Sequence, residues 1–166
     1  MPQYFFDSSA IVKRYYYELG SNWVRAVCES HTRPSLHLSQ LAQVEVVAAL
    51  RRAGRRENLH HSFVDAMVNP FERHIILSDP ARSTPVYTIV PLSPLTVTLA
   101  ATLCSTYAAT EPHPIRSLDA LQLASALLAA RNLSDELIFI TADTRLSTIA
   151  RFEGFQVINP AYPPMP

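Results

Sequence analysis

Four acids stand in surroundings that ordinary surface carboxylates do not have. Asp7 closes the aromatic run Tyr4-Phe5-Phe6, and Glu45 interrupts an apolar helical stripe. Asp119 falls in the first turn of an apolar helix, and Asp143 follows the apolar run of residues 137–141. Glu45 is the hardest to dismiss: its neighbours at i−4, i−3, i+3 and i+4 are Leu41, Ala42, Ala48 and Ala49, so a helix here turns it toward the core. A buried carboxylate without a partner is strongly unfavourable or takes up a proton. Like charges brought together raise one another's pKa, and a hard cation relieves them. Mg2+ or Mn2+ suits carboxylate oxygens, and magnesium keeps waters that can act as nucleophiles. The chemistry that follows is phosphodiester cleavage, in which a cation polarises a phosphoryl oxygen and lowers the pKa of the attacking water.

Each acid also has a purely structural reading. Asp7 and Asp143 could be helix N-caps, Asp119 could complement the positive end of its helix, and Glu45 could pair with Arg14 or Arg116.

The elements that must position these acids alternate between strand and helix. Residues 4–6 suit a buried strand that ends at Asp7, and Asp7-Ser8-Ser9 supplies cap chemistry for a helix over 10–17 that stops at Gly20. Ser21 caps a helix to about residue 30, Pro34 breaks the chain, and residues 36–38 form a short strand. Ser39 caps a helix to about residue 53, with Gly54 as its C-cap behind Arg51 and Arg52. A helix over 57–71 ends at Pro70, residues 78–85 form a loop, and the β-branched run 86–90 is a strand. Beyond Pro91 come a helix over 95–107, a turn bracketed by Pro112 and Pro114, and a helix capped by Ser117. A strand over 137–141, a helix over 145–152 and a strand over 155–158 complete the chain. This alternation predicts βαβ units, a parallel sheet and helices on both faces, with ligands at the carboxyl ends of the strands. Asp7 and Asp143 both fall at such ends.

Composition narrows the classes. A chain of 166 residues fits one domain, its net charge is zero, and no run of about 18 apolar residues suggests a membrane span. Residues 1–7 lack the features of a signal peptide, so a cytoplasmic protein is expected. Cys28 and Cys104 lack metal-ligand spacing and read as free thiols. Three glycines and no Gly-rich turn exclude nucleotide-binding loops. A phosphatase using Asp7 as nucleophile would want an acid at position 9, which is Ser9. On a helix, His60 and His61 would point about 100° apart, which disfavours a shared metal.

Taken in order, Phe6-Asp7-Ser8-Ser9-Ala10-Ile11-Val12-Lys13-Arg14-Tyr15, Glu45 in a helix, Leu118-Asp119-Ala120-Leu121-Gln122-Leu123-Ala124 and Thr141-Ala142-Asp143-Thr144-Arg145-Leu146 resemble the PIN-domain ribonucleases. Within them the chain looks most like VapC-type toxins of type II toxin–antitoxin pairs. The resemblance implies an α/β fold, a PIN-like α/β/α sandwich with a central parallel sheet of four to five strands. It implies one such domain over residues 1–160, followed by a proline-rich tail over 161–166. It further implies an Mg2+- or Mn2+-dependent endoribonuclease with an RNA substrate, a small antitoxin partner and a homodimer. Carried over, Asp7 and Asp119 would be the principal metal ligands. Asp143 would complete the site directly or through water, and Glu45 would hold a ligand water or a second ion. Ser8 and Thr141 would donate hydrogen bonds behind the ligands.

Arg116 is the best placed of the basic residues to touch substrate, and Lys13 and Arg14 could add to a phosphate-binding rim with Arg51, Arg52, Arg55 and Arg56. Tyr15, Tyr16 and Tyr17 could stack on bases, with at least one of them in the core. The alternative from another class is a catalytically silent PIN fold that binds RNA or protein without turnover.

Overall fold

In the computed structural model, which describes residues 2–30, 35–75, 86–109 and 114–163, strand β1 (Gln3–Phe6) sends Phe5 to one face of the sheet and Phe6 to the other. Both rings are fully buried, so β1 must be covered on both sides. The chain supplies that cover in order: α1 (Ser8–Ile11), a 3-10 turn (Val12–Arg14), α2 (Ser21–Ser30), β2 (Leu36–Ser39), α3 (Ala42–Arg56), α4 (His61–Ile75) and β3 (Thr88–Val90). Then follow α5 (Pro94–Thr106), α6 (Ser117–Ala130), β4 (Leu137–Ile140), α7 (Thr144–Phe152) and β5 (Val157–Ile158). The expected turn at Pro34, the loop over 78–85, Pro112 and residues 164–166 of the tail lie outside the described residues.

The five strands are all parallel and run in the order β3-β2-β1-β4-β5. The chain thus builds outward from β1 through β2 to β3, then returns to place β4 on the other side of β1. That reversal leaves a crevice at the carboxyl ends of β1 and β4, where open α/β sheets bind ligands. The register Phe5↔Phe139 and Phe6↔Ile140 brings the two strand ends level. One core joins Phe6 and Ile140 to α1–α4; the other joins Phe5 and Phe139, stacked at 5.6 Å between ring centroids, to α5, α6 and α7. No helix among the described residues is long and apolar enough to cross a membrane.

Several local expectations give way to tertiary packing. The helix expected over 10–17 is only α1 and a 3-10 turn, because Lys13 folds back to pair with Glu18 at 2.7 Å and Tyr15 turns into the core. Gly54 is not a C-cap: α3 runs on to Arg56, and Asn58 takes the left-handed backbone at φ 53°. Gly54 instead lets α4 approach, since a Cβ there would lie 2.3 Å from Val64 Cγ2. Pro70 does not end α4, although proline removes a helical hydrogen bond. Burial of Val64, Val68, Phe71 and Ile75 along one stripe carries the helix through it.

The serines expected as caps also act elsewhere. The Ser21 hydroxyl accepts from Glu18 N and donates to Tyr16 O, and Ser39 shares a hydrogen bond with Ser125 at 2.9 Å. Ser117 is the first residue of α6 rather than its cap. Ser93 with Thr96 forms the capping box that starts α5.

Candidate metal centre

Asp7 leaves β1 as the N-cap of α1, its backbone N–H donating to Ile140 O of β4 at 2.9 Å. The residue is only 5% exposed. Oδ2 accepts from Ser9 Oγ at 2.5 Å, Ser9 N at 3.2 Å and Thr141 Oγ1 at 3.0 Å. The same Ser9 hydroxyl accepts from Ala142 N at 3.0 Å, and Thr141 Oγ1 accepts from Asp143 N at 3.1 Å. These bonds tie the carboxyl ends of β1 and β4 into one polar knot. With Oδ2 so engaged, Oδ1 takes no hydrogen bond among the described residues.

Asp143 is the N-cap of α7. Oδ1 accepts from Arg145 N at 2.8 Å and Leu146 N at 3.2 Å, while Oδ2 lies 3.6 Å from the Arg145 guanidinium. Asp119 stands in the first turn of α6, half-buried, and no side chain hydrogen-bonds its carboxylate among the described residues. Glu45 is half-buried on α3; its Oε2 accepts from Ser8 Oγ at 2.7 Å and from Gln122 Nε2 at 2.5 Å. Neither Arg14 nor Arg116 forms an ion pair with it among the described residues.

The electrostatics follow from this crowding. Burial pushes the Asp7 carboxyl above the usual carboxylate range, the Ser9 and Thr141 hydrogen bonds oppose that rise, and the Glu45 charge adds to it. Asp119 is raised to about 6, first by burial and then by the charges of Asp7 and Asp143; Arg116 and Arg145 act in the other direction. Asp119 therefore feels two of the other three acids, and Asp7 feels Glu45. No three of them are grouped as a ready-made metal cage among the described residues. Magnesium seldom uses one, since it keeps several waters and takes one or two carboxylates plus substrate oxygens. Asp7 Oδ1 and both oxygens of Asp119 are hard donors that take no hydrogen bond among the described residues, so the residues present fit such a sparse site.

The basic residues divide. Arg116 is exposed, and its charge reaches Asp119. Lys13 and Arg14 are not brought to the crevice: Lys13 is 7% exposed in its ion pair with Glu18, and Arg14 donates to Tyr87 Oη at 2.6 Å. The Arg14 guanidinium also packs against the Tyr15 and Tyr87 rings. Arg51 pairs with Asp65, and Arg56 with Glu57. Tyr15 is the core tyrosine, bonded to His74 and Tyr87, while Tyr17 is exposed. His60 precedes α4 and its ring lies 4.0 Å from that of His61.

Ser9, Gln122 and Arg145 bond or pair with the candidate acids, a role that sequence reasoning does not assign to them. Gln122 and Asp119 are one helical turn apart in an otherwise apolar run, and that spacing was the available signal. A cavity of about 530 Å3 lies elsewhere, lined by His37, Ile89, Leu95, Leu128 and Arg131 among others, and none of the four acids lines it.

No protein-family model matches the chain, and no curated protein does. Among solved structures, a chain of the "Structure of FitAB bound to IR36 DNA fragment" superposes with a TM-score of 0.65 at 19% identity, covering 96% of each chain. At that identity the likeness speaks for the fold, and it spans the whole arrangement of sheet and helices. The chain has a PIN-like α/β/α fold around a five-stranded parallel sheet.

Proposed function

We propose that this chain is a nuclease of the PIN type, a metal-dependent endoribonuclease that acts as the toxin of a toxin–antitoxin pair. The observation that carries the reading is the grouping of Asp7 and Asp143, at the ends of β1 and β4, with Asp119 in the first turn of α6. They are near enough that their charges, with burial, raise the Asp119 carboxyl, which takes no hydrogen bond among the described residues. Beyond complementing the positive end of α6, a desolvated carboxylate beside two like charges is unfavourable when ionised, and a hard cation would stabilise it.

Asp7 and Asp119 would hold Mg2+ or Mn2+, with Asp143 completing the site directly or through water. The cation, when bound, supplies polarisation of a phosphoryl oxygen and activation of an attacking water. The rest is the work of side chains. Ser9 and Thr141 fix Asp7 so that Oδ1 is its remaining acceptor. Glu45, held by Ser8 and Gln122, would hold a ligand water or a second ion. Arg116 and Arg145, cations near an otherwise acidic site, would contact the phosphates of an RNA. The resemblance adds a small antitoxin, a homodimer and a cytoplasmic setting. FitAB, the structural neighbour, was solved with a DNA fragment, which is a statement about that protein.

A second reading has its own support. Without a three-carboxylate group among the described residues, the fold could bind RNA or an antitoxin without turnover. Incubating wild type and Asp119→Asn with diverse RNAs and magnesium separates the two. Cleavage by wild type that is lost in Asp119→Asn supports the nuclease. Binding that persists in both, with no cleavage by either, supports the silent module.

A further inference from the structure

Gln122 is 1% exposed, yet its Oε1 is a buried polar atom with no hydrogen-bond partner among the described residues. Burying such an oxygen is unfavourable, so an amide kept there needs a reason in its other half. Nε2 donates to Ser8 Oγ at 2.7 Å and to Glu45 Oε2 at 2.5 Å, and Ser8 Oγ donates to the same Glu45 oxygen at 2.7 Å. The three atoms close a triangle in which the amide nitrogen donates to both oxygens and the serine hydroxyl donates to Glu45. The amide orientation follows from this network: turned over, the carbonyl would face a carboxylate, two acceptors in contact.

Both grips fall on one oxygen of Glu45. Oε2 is engaged from α1 by Ser8 and from α6 by Gln122, and Oε1 takes no hydrogen bond among the described residues. The side chain is thereby held in one orientation with one oxygen free. Gln122 also sits one helical turn after Asp119, so a single helix carries both an acid of the site and the clamp on another.

We propose that Gln122 is a positioning residue for Glu45, presenting Oε1 to the cation or to its water, and that its orphaned carbonyl is the consequence of that task. The proposal rests on the cation-binding reading above. Outer partners of ligands tune metal affinity about 10–100-fold in other proteins, which sets the size of effect to look for.

The test is Gln122→Met, similar in volume and without hydrogen-bonding groups, with Gln122→Leu as a second variant. Isothermal titration with Mn2+ is paired with urea unfolding in chelator. The expected result is an affinity about 10-fold weaker, at a stability equal to or above wild type because the buried orphan is gone. In a Glu45→Gln background, the same substitution should weaken Mn2+ binding no further. Unchanged affinity in a folded Gln122 variant overturns the role of Gln122 and leaves the cation reading standing. An equal loss in the Glu45→Gln background overturns the route through Glu45. Absence of Mn2+ binding by wild type overturns the cation reading and this proposal together.

Discussion

Replacing Asp119 by Asn should make the metal-free protein more stable at neutral pH while removing its affinity for a cation. The carboxyl is raised from the usual 3.8 to about 6 in the folded state. A group whose folded pKa is raised contributes stability that is fully present below the unfolded value and is lost as pH rises through the folded one. For Asp119 the loss falls between about pH 4 and pH 6, and above that window the charged carboxylate is a net burden on the fold. At about 1.4 kcal/mol per pH unit, the displacement sets an upper limit of roughly 3 kcal/mol. Asp119 is only half-buried, so solvent screening reduces this to about 1–1.5 kcal/mol.

Asn keeps the shape and removes the charge. In chelator at pH 7.5, Asp119→Asn should therefore unfold about 3–5 °C above wild type. Near pH 4 the two should converge. Saturating Mn2+ should reverse the order, raising wild type by about 1.4 kcal/mol for each tenfold excess over its dissociation constant and leaving the variant unmoved. Urea titrations at the two pH values, with and without Mn2+, read all four states. A variant less stable than wild type at pH 7.5 in chelator, or a gap that does not shrink on acidification, would refute the charge-crowding argument.

Other perturbations probe the supports of the site. Ser9→Ala removes a donor to Asp7 and the acceptor for Ala142 N, and should cost about 1–2 kcal/mol in urea unfolding by loosening the join between β1 and β4. Gly54→Ala gains roughly 1 kcal/mol of helix propensity but drives a Cβ into Val64, an overpacking penalty of about 1–3 kcal/mol. The net expected in urea unfolding is a loss of about 1 kcal/mol, relieved by adding Val64→Ala. His74, its ring nitrogen bonded to Tyr15 Oη, is lowered to about 4 by burial and then by Arg14 and Arg73. The unfolded chain therefore binds more protons between about pH 4 and 6.5, and stability falls as pH drops through that window. Thermal melts of wild type and His74→Gln should differ in slope there, the variant being flatter.

Much of the fold was legible because strand and helix patterns are local. The apolar runs ending at Asp7 and before Asp143 give the strand ends, and alternation of element types gives the parallel sheet. What local patterns cannot give is partner identity across the chain. Arg14 looked like a rim residue because its partner Tyr87 lies 73 positions away. Gln122 looked like an ordinary core-helix residue because Glu45 is 77 positions away, and Ser9 gave no hint of Ala142 at a separation of 133. Pro70 and Gly54 were misread for a related reason: both residues break or end helices by themselves, and only the packing of α3 on α4 makes them interior.

The sequence posed capping and cation binding as alternatives for Asp7 and Asp143; the structure shows both as caps, and the capping geometry is compatible with the second role. Each carboxylate has two oxygens, and the structure divides them. Asp7 gives Oδ2 to Ser9 and Thr141 and keeps Oδ1; Asp143 gives Oδ1 to the first turn of α7 and turns Oδ2 toward Arg145. Glu45 shows the same division, with Oε2 clamped by Ser8 and Gln122 and Oε1 left over. A cap or clamp on one oxygen fixes the direction of the other at little entropic loss on binding, which is what a cation site made of few ligands requires. Among the described residues Asp119 alone lacks such a hold, and it is also the acid that the charges of Asp7 and Asp143 raise. The three held carboxylates supply geometry, and the unheld one supplies the electrostatic demand that a cation would meet.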